Sequence, residues 1–142
     1  MGERSDMKIL VVDDELVSRE KIRRIMETFG SCKAVESGEA AVAAFYEAWN
    51  SWSPFDLITL DISMPTMSGL ETLQKLREIE REKNVPEEKR VKIVMATSDA
   101  DRDTVVTCLS EGCDDYIVKP FNHSTVKAKL DRILHVNQWD KK

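Results

Sequence analysis

Nothing in this 142-residue chain approaches the run of roughly 20 apolar residues that spans a bilayer, so membrane insertion is not expected. The opening MGERSDMKILVV has no long apolar stretch ending in small residues and does not read as a signal peptide. Histidine is scarce, with only His123 and His135, and the three cysteines, Cys32, Cys108 and Cys113, show no CxxC spacing. That pattern excludes a thiolate-rich metal centre and predicts reduced, structural thiols in a cytoplasmic protein. Positive charge is not in excess either: a formal charge of −5 argues against nonspecific binding to nucleic acid or to an anionic membrane surface. There is no GxxxxGK nucleotide loop, no internal repeat and no low-complexity segment.

What is present suits one domain over 1–142, with a core from about 7 to 136: 42% hydrophobic residues can build a core and 33% charged residues can solvate it. Strand and helix signals alternate. Lys8–Val12 is a short apolar run, as expected of a strand buried on both faces. Helical spacing follows over Glu15–Phe29, with Leu16, Ile22, Ile25, Met26 and Phe29 available for one face and Gly30 as the stop. A weaker strand at Cys32–Val35 precedes an alanine-rich helix from Ser37–Gly38 to about Asn50, and Trp49, Trp52 and Phe55 are expected to cover a helix end or core edge. Leu57–Leu60 is the next buried strand. Ser68 to Glu71 has capping-box spacing ahead of Leu70, Leu73, Leu76 and Ile79. EREKNVPEEKR reads as a solvated helix end and loop. Val91–Ala96 resumes the strand pattern, Asp101 can cap a helix over Arg102–Glu111 that Gly112 closes, and Tyr116–Val118 forms a fifth strand. Asn122–Val136 is the last amphipathic helix. Five strands alternating with five helices predict an α/β fold, a parallel sheet doubly wound with helices on both faces.

Ligands of such sheets bind beyond the carboxyl ends of the strands. The chemically active residues stand there: Asp13 and Asp14 after the first strand, Asp61 after the third, Thr97 after the fourth, and Lys119-Pro120 after the fifth. Three carboxylates at close range repel one another, and a divalent cation is the simplest remedy. Oxygen donors without thiolate or imidazole select a hard ion, with Mg²⁺ the abundant choice. A carboxylate can also attack phosphorus to give an acyl phosphate, with the metal, Lys119 and the Thr97 hydroxyl compensating the phosphoryl oxygens.

The segments VVDDE, LDISMPTMSG, MATS and DYIVKPF resemble the four signature segments of response-regulator receiver domains, in family order, over about Met7 to Val136. The resemblance implies a flavodoxin-like strand order 2-1-3-4-5. It implies Asp61 as phosphoacceptor, Asp13 and Asp14 as the metal-binding acidic pair, and a backbone carbonyl of Ser63 as a further metal ligand. Thr97 resembles the switch hydroxyl, Tyr116 the aromatic switch residue, and Lys119 the phosphoryl-contacting lysine, with Lys119–Pro120 cis. Ser98 stands where the family commonly has a small residue. Met64-Pro65 and Gly69 fill the turn after the acceptor, and Val106, Tyr116 and the last helix form the implied output face. The implied partners are a histidine kinase or histidine phosphotransfer protein and a downstream protein, with the receiver a monomer or weak dimer that catalyses only its own phosphorylation and dephosphorylation.

Three alternatives stay open. An aspartate-nucleophile phosphohydrolase of the haloacid-dehalogenase type would carry a second aspartate two positions after its nucleophile, where Ser63 follows Asp61 and Glu15 follows Asp13. The chain could serve as a phosphorelay intermediate, or as a regulatory fragment of a multidomain regulator. HVNQWDKK holds no second domain, so a stand-alone receiver is expected.

Overall fold

The structure, a computed structural model, describes residues 7–98 and 102–139; Asp101, the expected cap, and the side chain of His135 lie outside the described residues. The elements run β1 (Met7–Val12), α1 (Leu16–Met26), β2 (Gly30–Val35), α2 (Gly38–Asn50), β3 (Leu57–Asp61), α3 (Gly69–Glu82), a 3₁₀ turn (Glu87–Lys89), β4 (Lys92–Thr97), α4 (Arg102–Ser110), β5 (Asp115–Val118) and α5 (His123–Trp139). All strand pairs are parallel, in the order β2-β1-β3-β4-β5. The doubly wound sheet and its 2-1-3-4-5 order agree with the sequence expectation.

Alternate residues of each strand feed opposite cores, as the two-residue period of a pleated strand requires. Leu10, Val12, Ile58, Leu60, Ile93 and Met95 pack with Phe45, Leu73 and Leu76 of α2 and α3. Ile9, Val11, Leu57, Val94, Ala96 and Ile117 pack with Ile22 and Met26 of α1 and Val126 and Leu130 of α5. Ser37 caps α2 by accepting from Ala40 N, and Ser68 and Glu71 form the expected capping box on α3.

Four sequence expectations are corrected. Gly30 does not stop α1, which ends at Met26; it opens β2, where a Cβ would come within 2.1 Å of Met7 O. Leu16, in the first turn of α1, is 62% exposed, and the buried face is carried further along the helix by Ile22 and Met26. Trp52 covers nothing: it is 91% exposed at a left-handed φ of 60°, and Phe55 and half-buried Trp49 do the packing. Finally, EREKNVPEEKR is not solvated throughout, because Glu80 is fully buried and Val85 is buried with it.

The reason is a charged clamp across the amino-terminal end of the sheet. Buried Arg77 donates from Nε to Gly112 O (2.9 Å), from Nη1 to Glu80 Oε1 (2.7 Å) and Val91 O (2.9 Å), and from Nη2 to Asp114 Oδ2 (3.1 Å). Glu80 Oε2 accepts Val91 N (2.8 Å), and Asp114 Oδ2 accepts Ile93 N (2.8 Å). Each buried charge is thus both paired and hydrogen-bonded, the condition under which burial of ions is tolerated.

Candidate functional site

At the opposite, carboxyl end of the sheet, β1 ends one residue before Asp13, whose side chain is fully buried. Asp13 Oδ1 accepts Glu15 N (3.0 Å), and Oδ2 accepts Ser18 Oγ (2.5 Å) and Lys119 Nζ (3.0 Å). Asp13 O accepts Arg19 Nη1 (3.0 Å), so the first turn of α1 is tied to the strand end it follows. Asp14, next in the chain, is exposed and forms no hydrogen bond among the described residues.

Asp61 is the last residue of β3, paired in register with Ala96 on β4, and is buried at 7% exposure. Its Oδ1 accepts Ser63 N (3.3 Å) and its Oδ2 lies 3.5 Å from Lys119 Nζ. The loop beyond it folds back tightly, with Gly69 N donating to Ile62 O (2.8 Å). Gly69 is required there, since a Cβ would meet Asp61 O at 2.2 Å. Thr97 ends β4, is buried, and accepts Lys119 N at its carbonyl (2.7 Å). The Lys119–Pro120 peptide is cis.

Carboxylate oxygens of Asp13, Asp14 and Asp61 lie within 4.8 Å of one another. Four strand ends therefore deliver three carboxylates, one ammonium and one hydroxyl-bearing residue to one place. Of the other residues singled out in the sequence, Ser63 is exposed at its side chain and contributes its backbone to this loop, and Ser98 is exposed at the rim. Tyr116 stands apart on β5, opposite Met95, half-buried with Lys129 Nζ 4.8 Å above its ring. Val106 is 60% exposed on α4. Sequence reasoning missed Ser18 and Arg19. Their signal is positional, since both fall in the opening turns of the helix that follows the acidic pair, where side chains can reach back to the strand end.

The charges are not balanced. Burial pushes Asp13 up, but the Ser18 hydroxyl, the Glu15 N–H and Lys119 outweigh it and hold this carboxyl below the usual range. Asp61 goes the other way: burial raises it, Lys119 only partly compensates, and the Asp13 and Asp14 charges raise it further, to about 6. Burial lowers Lys119, yet its hydrogen bond to Asp13 and the charges of Asp61 and Asp13 more than reverse this. One ammonium is shared by two buried carboxylates, and it sits closer to Asp13. The donor set left over is all oxygen and net negative, which fits a hard divalent cation such as Mg²⁺.

A doubly wound parallel sheet carrying an acidic trio, a lysine and a threonine at its strand ends defines a receiver-type α/β protein. Residues 9–131 match the response regulator receiver domain family, and the chain belongs to that family, whose members signal in two-component systems. It is 31% identical over 129 residues to the chemotaxis protein CheY of Pseudomonas aeruginosa, covering 90% of this chain and 96% of that protein. The fold is similar to that of a CheX–CheY–BeF₃–Mg complex from Borrelia burgdorferi (TM-score 0.78, 23% identity, 91% of this chain and 90% of that chain). It is likewise similar to the receiver domain of a sensor histidine kinase from Pseudomonas aeruginosa with a magnesium ion coordinated in its active-site cleft (TM-score 0.74, 25% identity, 90% of this chain and 97% of that chain). No helix among the described residues is long and apolar enough to cross a membrane.

Proposed function

We propose that the chain is a cytoplasmic phosphoacceptor switch in which Asp61 takes a phosphoryl group from a phosphohistidine donor. The observation that carries this reading is the asymmetry between the two buried carboxylates. Asp13 is saturated with donors, whereas among the described residues Asp61 Oδ2 has only a 3.5 Å approach from Lys119. Asp61 is therefore the carboxylate with lone pairs to spare. With its acidity near 6 it is ionised at neutral pH, yet less stabilised than an ordinary surface carboxylate.

In the proposed reaction Asp61 attacks phosphorus, an O–P bond forms, and the P–N bond to the donor imidazole breaks. Lys119 is near enough to follow the new charge, and Thr97, one position beyond the level of Asp61 on the neighbouring strand, would supply a hydroxyl. Asp13, Asp14, Asp61 and the carbonyl of Ser63 would hold Mg²⁺, as the magnesium-bound kinase receiver's cleft supports. When bound, the ion neutralises phosphoryl oxygen charge and relieves the carboxylate repulsion. Thr97 and Tyr116, on β4 and β5, would transmit the change to the α4–β5–α5 face, where a downstream protein binds one of two pre-existing packings. Beside the site, exposed Leu16 and Val17 line an apolar groove of about 590 Å³ with Ile25 and Phe121, a surface that suits the donor protein.

The test is intact-mass measurement after incubation with acetyl phosphate and Mg²⁺. The wild-type chain should gain one phosphoryl group and Asp61→Asn none; undiminished labelling of the variant would remove Asp61 from the role. Phosphotransfer onward to a second histidine protein, as opposed to capture of a non-phosphorylated partner, would separate a relay intermediate from a direct output.

A further inference from the structure

The carboxyl end of α4 carries a pair of thiols that the switch chemistry does not use. Cys113 N donates to Cys108 O (3.0 Å) and Gly112 N to Leu109 O (3.2 Å), with Gly112 at φ 110°. This is the hydrogen-bond pattern of a Schellman closure, in which the residues joined by the outer bond also bring their side chains together. In this chain both of those residues are cysteine. Both are buried, Cys108 fully and Cys113 at 7% exposure, and both belong to the core under α3 and β4. In this closure the side chains at the two ends of the outer bond meet, the close approach that a disulfide, with its Cα atoms roughly 4.4–6.8 Å apart, requires. Cys32 is no competitor, because it packs against the other core, across the sheet.

We propose that Cys108 and Cys113 form a reversible intramolecular disulfide that locks the end of α4 to the start of β5. Two apolar side chains of any kind would satisfy the closure; two thiols make it a place where oxidation can join consecutive elements with little movement of either backbone. Burial pushes both thiols up, Cys113 to about 12, so they stay protonated and inert while the turn is closed. Reaction needs transient opening of the last turn of α4. The oxidant is a small-molecule disulfide. The exposed thiolate attacks it, forming a mixed disulfide and releasing one thiol; the second cysteine displaces the other thiol and closes the protein S–S bond. The link would lie within the segment between Thr97 and Tyr116, joining redox state to the mobility of the output face.

The full chain is incubated under native conditions with oxidised glutathione, quenched, denatured and alkylated with iodoacetamide before mass analysis. The expected product has lost two hydrogens, about 2 Da, with Cys108 and Cys113 protected, Cys32 alkylated, and full reversal by dithiothreitol. Cys32→Ser should give the same product, and neither Cys108→Ser nor Cys113→Ser should lose the two hydrogens. Amide exchange over 102–116 should slow several-fold in the linked form. Complete alkylation of all three cysteines, or glutathione adducts without an internal link, in a sample whose urea-unfolded counterpart does link, would overturn the proposal; unchanged exchange would overturn the lock. Neither readout depends on phosphorylation of Asp61.

Discussion

The two ends of this sheet bury charge in opposite ways. At the amino end, Arg77 meets two carboxylates and two carbonyls, and those carboxylates in turn accept the Val91 and Ile93 amides. At the carboxyl end, one lysine serves Asp13 and Asp61 at unequal distances while Asp14 adds a third negative charge nearby. The first arrangement is closed and has nothing left to bind. The second is under-neutralised, and the less satisfied of its two buried carboxylates is the one whose pKa is pushed up. Buried charge is structural where its partners are complete and becomes chemical where they are not.

The largest expected effect tests the closed end. Arg77→Met removes the cation that pairs with buried Glu80 and half-buried Asp114, and loss of one member of a buried ion network costs about 3–5 kcal/mol. Urea denaturation should show that loss, with labelling by acetyl phosphate retained while the variant is folded. A loss below about 1 kcal/mol would mean that the clamp is no more than a surface pair, and the contrast between the ends would vanish.

Asp61→Asn tests the open end, with the opposite sign. A carboxyl raised to about 6 in the folded chain, against about 3.9 unfolded, binds its proton more tightly when folded, so its ionisation destabilises. Stability from this group is complete below about pH 4 and is lost as pH rises to about 6. In a chelator the Asn variant should therefore gain about 1–3 kcal/mol over wild type at pH 7 to 8, and the gain should fade between about pH 6 and pH 4. Asp13 works in reverse, since its lowered pKa gives stability that disappears in acid, but it is present in both proteins. An Asn variant that is less stable at every pH would show that Asp61 is as well satisfied as Glu80.

The open end was far more legible in the sequence than the closed one. Asp13, Asp61, Thr97 and Lys119 each follow an apolar run, so locating the strands located the residues. The clamp was hidden for a physical reason: Arg77 and Glu80 sit in a stretch dense with charge, and what buries them is Val91, Gly112 and Asp114, partners 11 to 37 residues away. Composition reads such a stretch as solvated, and only tertiary contact reverses that. Gly30 misled similarly. A glycine after a helical run looks like a stop, but its small size is demanded by Met7 on the neighbouring strand. Trp52 shows the converse error, an aromatic residue credited with burial that its left-handed turn denies it.

The smallest effect concerns Asp14, the member of the trio that is exposed and forms no hydrogen bond among the described residues. Without metal, Asp14→Ala should change stability by no more than about 0.5 kcal/mol, as for ordinary surface positions. The direction should be a slight gain, because one negative neighbour of Asp61 is removed. Added Mg²⁺ changes the ranking. Wild type should be stabilised in proportion to site occupancy, by about 2.7 kcal/mol at a hundred times the dissociation constant, and the variant should need markedly more Mg²⁺ for the same shift. Titrating the thermal midpoint of both proteins with Mg²⁺ reads this directly. Superimposable titrations would place the ion elsewhere and leave the trio as an unrelieved cluster of like charge. Separated titrations would mean that a residue with no hydrogen-bond partner among the described residues contributes through the ion alone, the extreme opposite of Arg77.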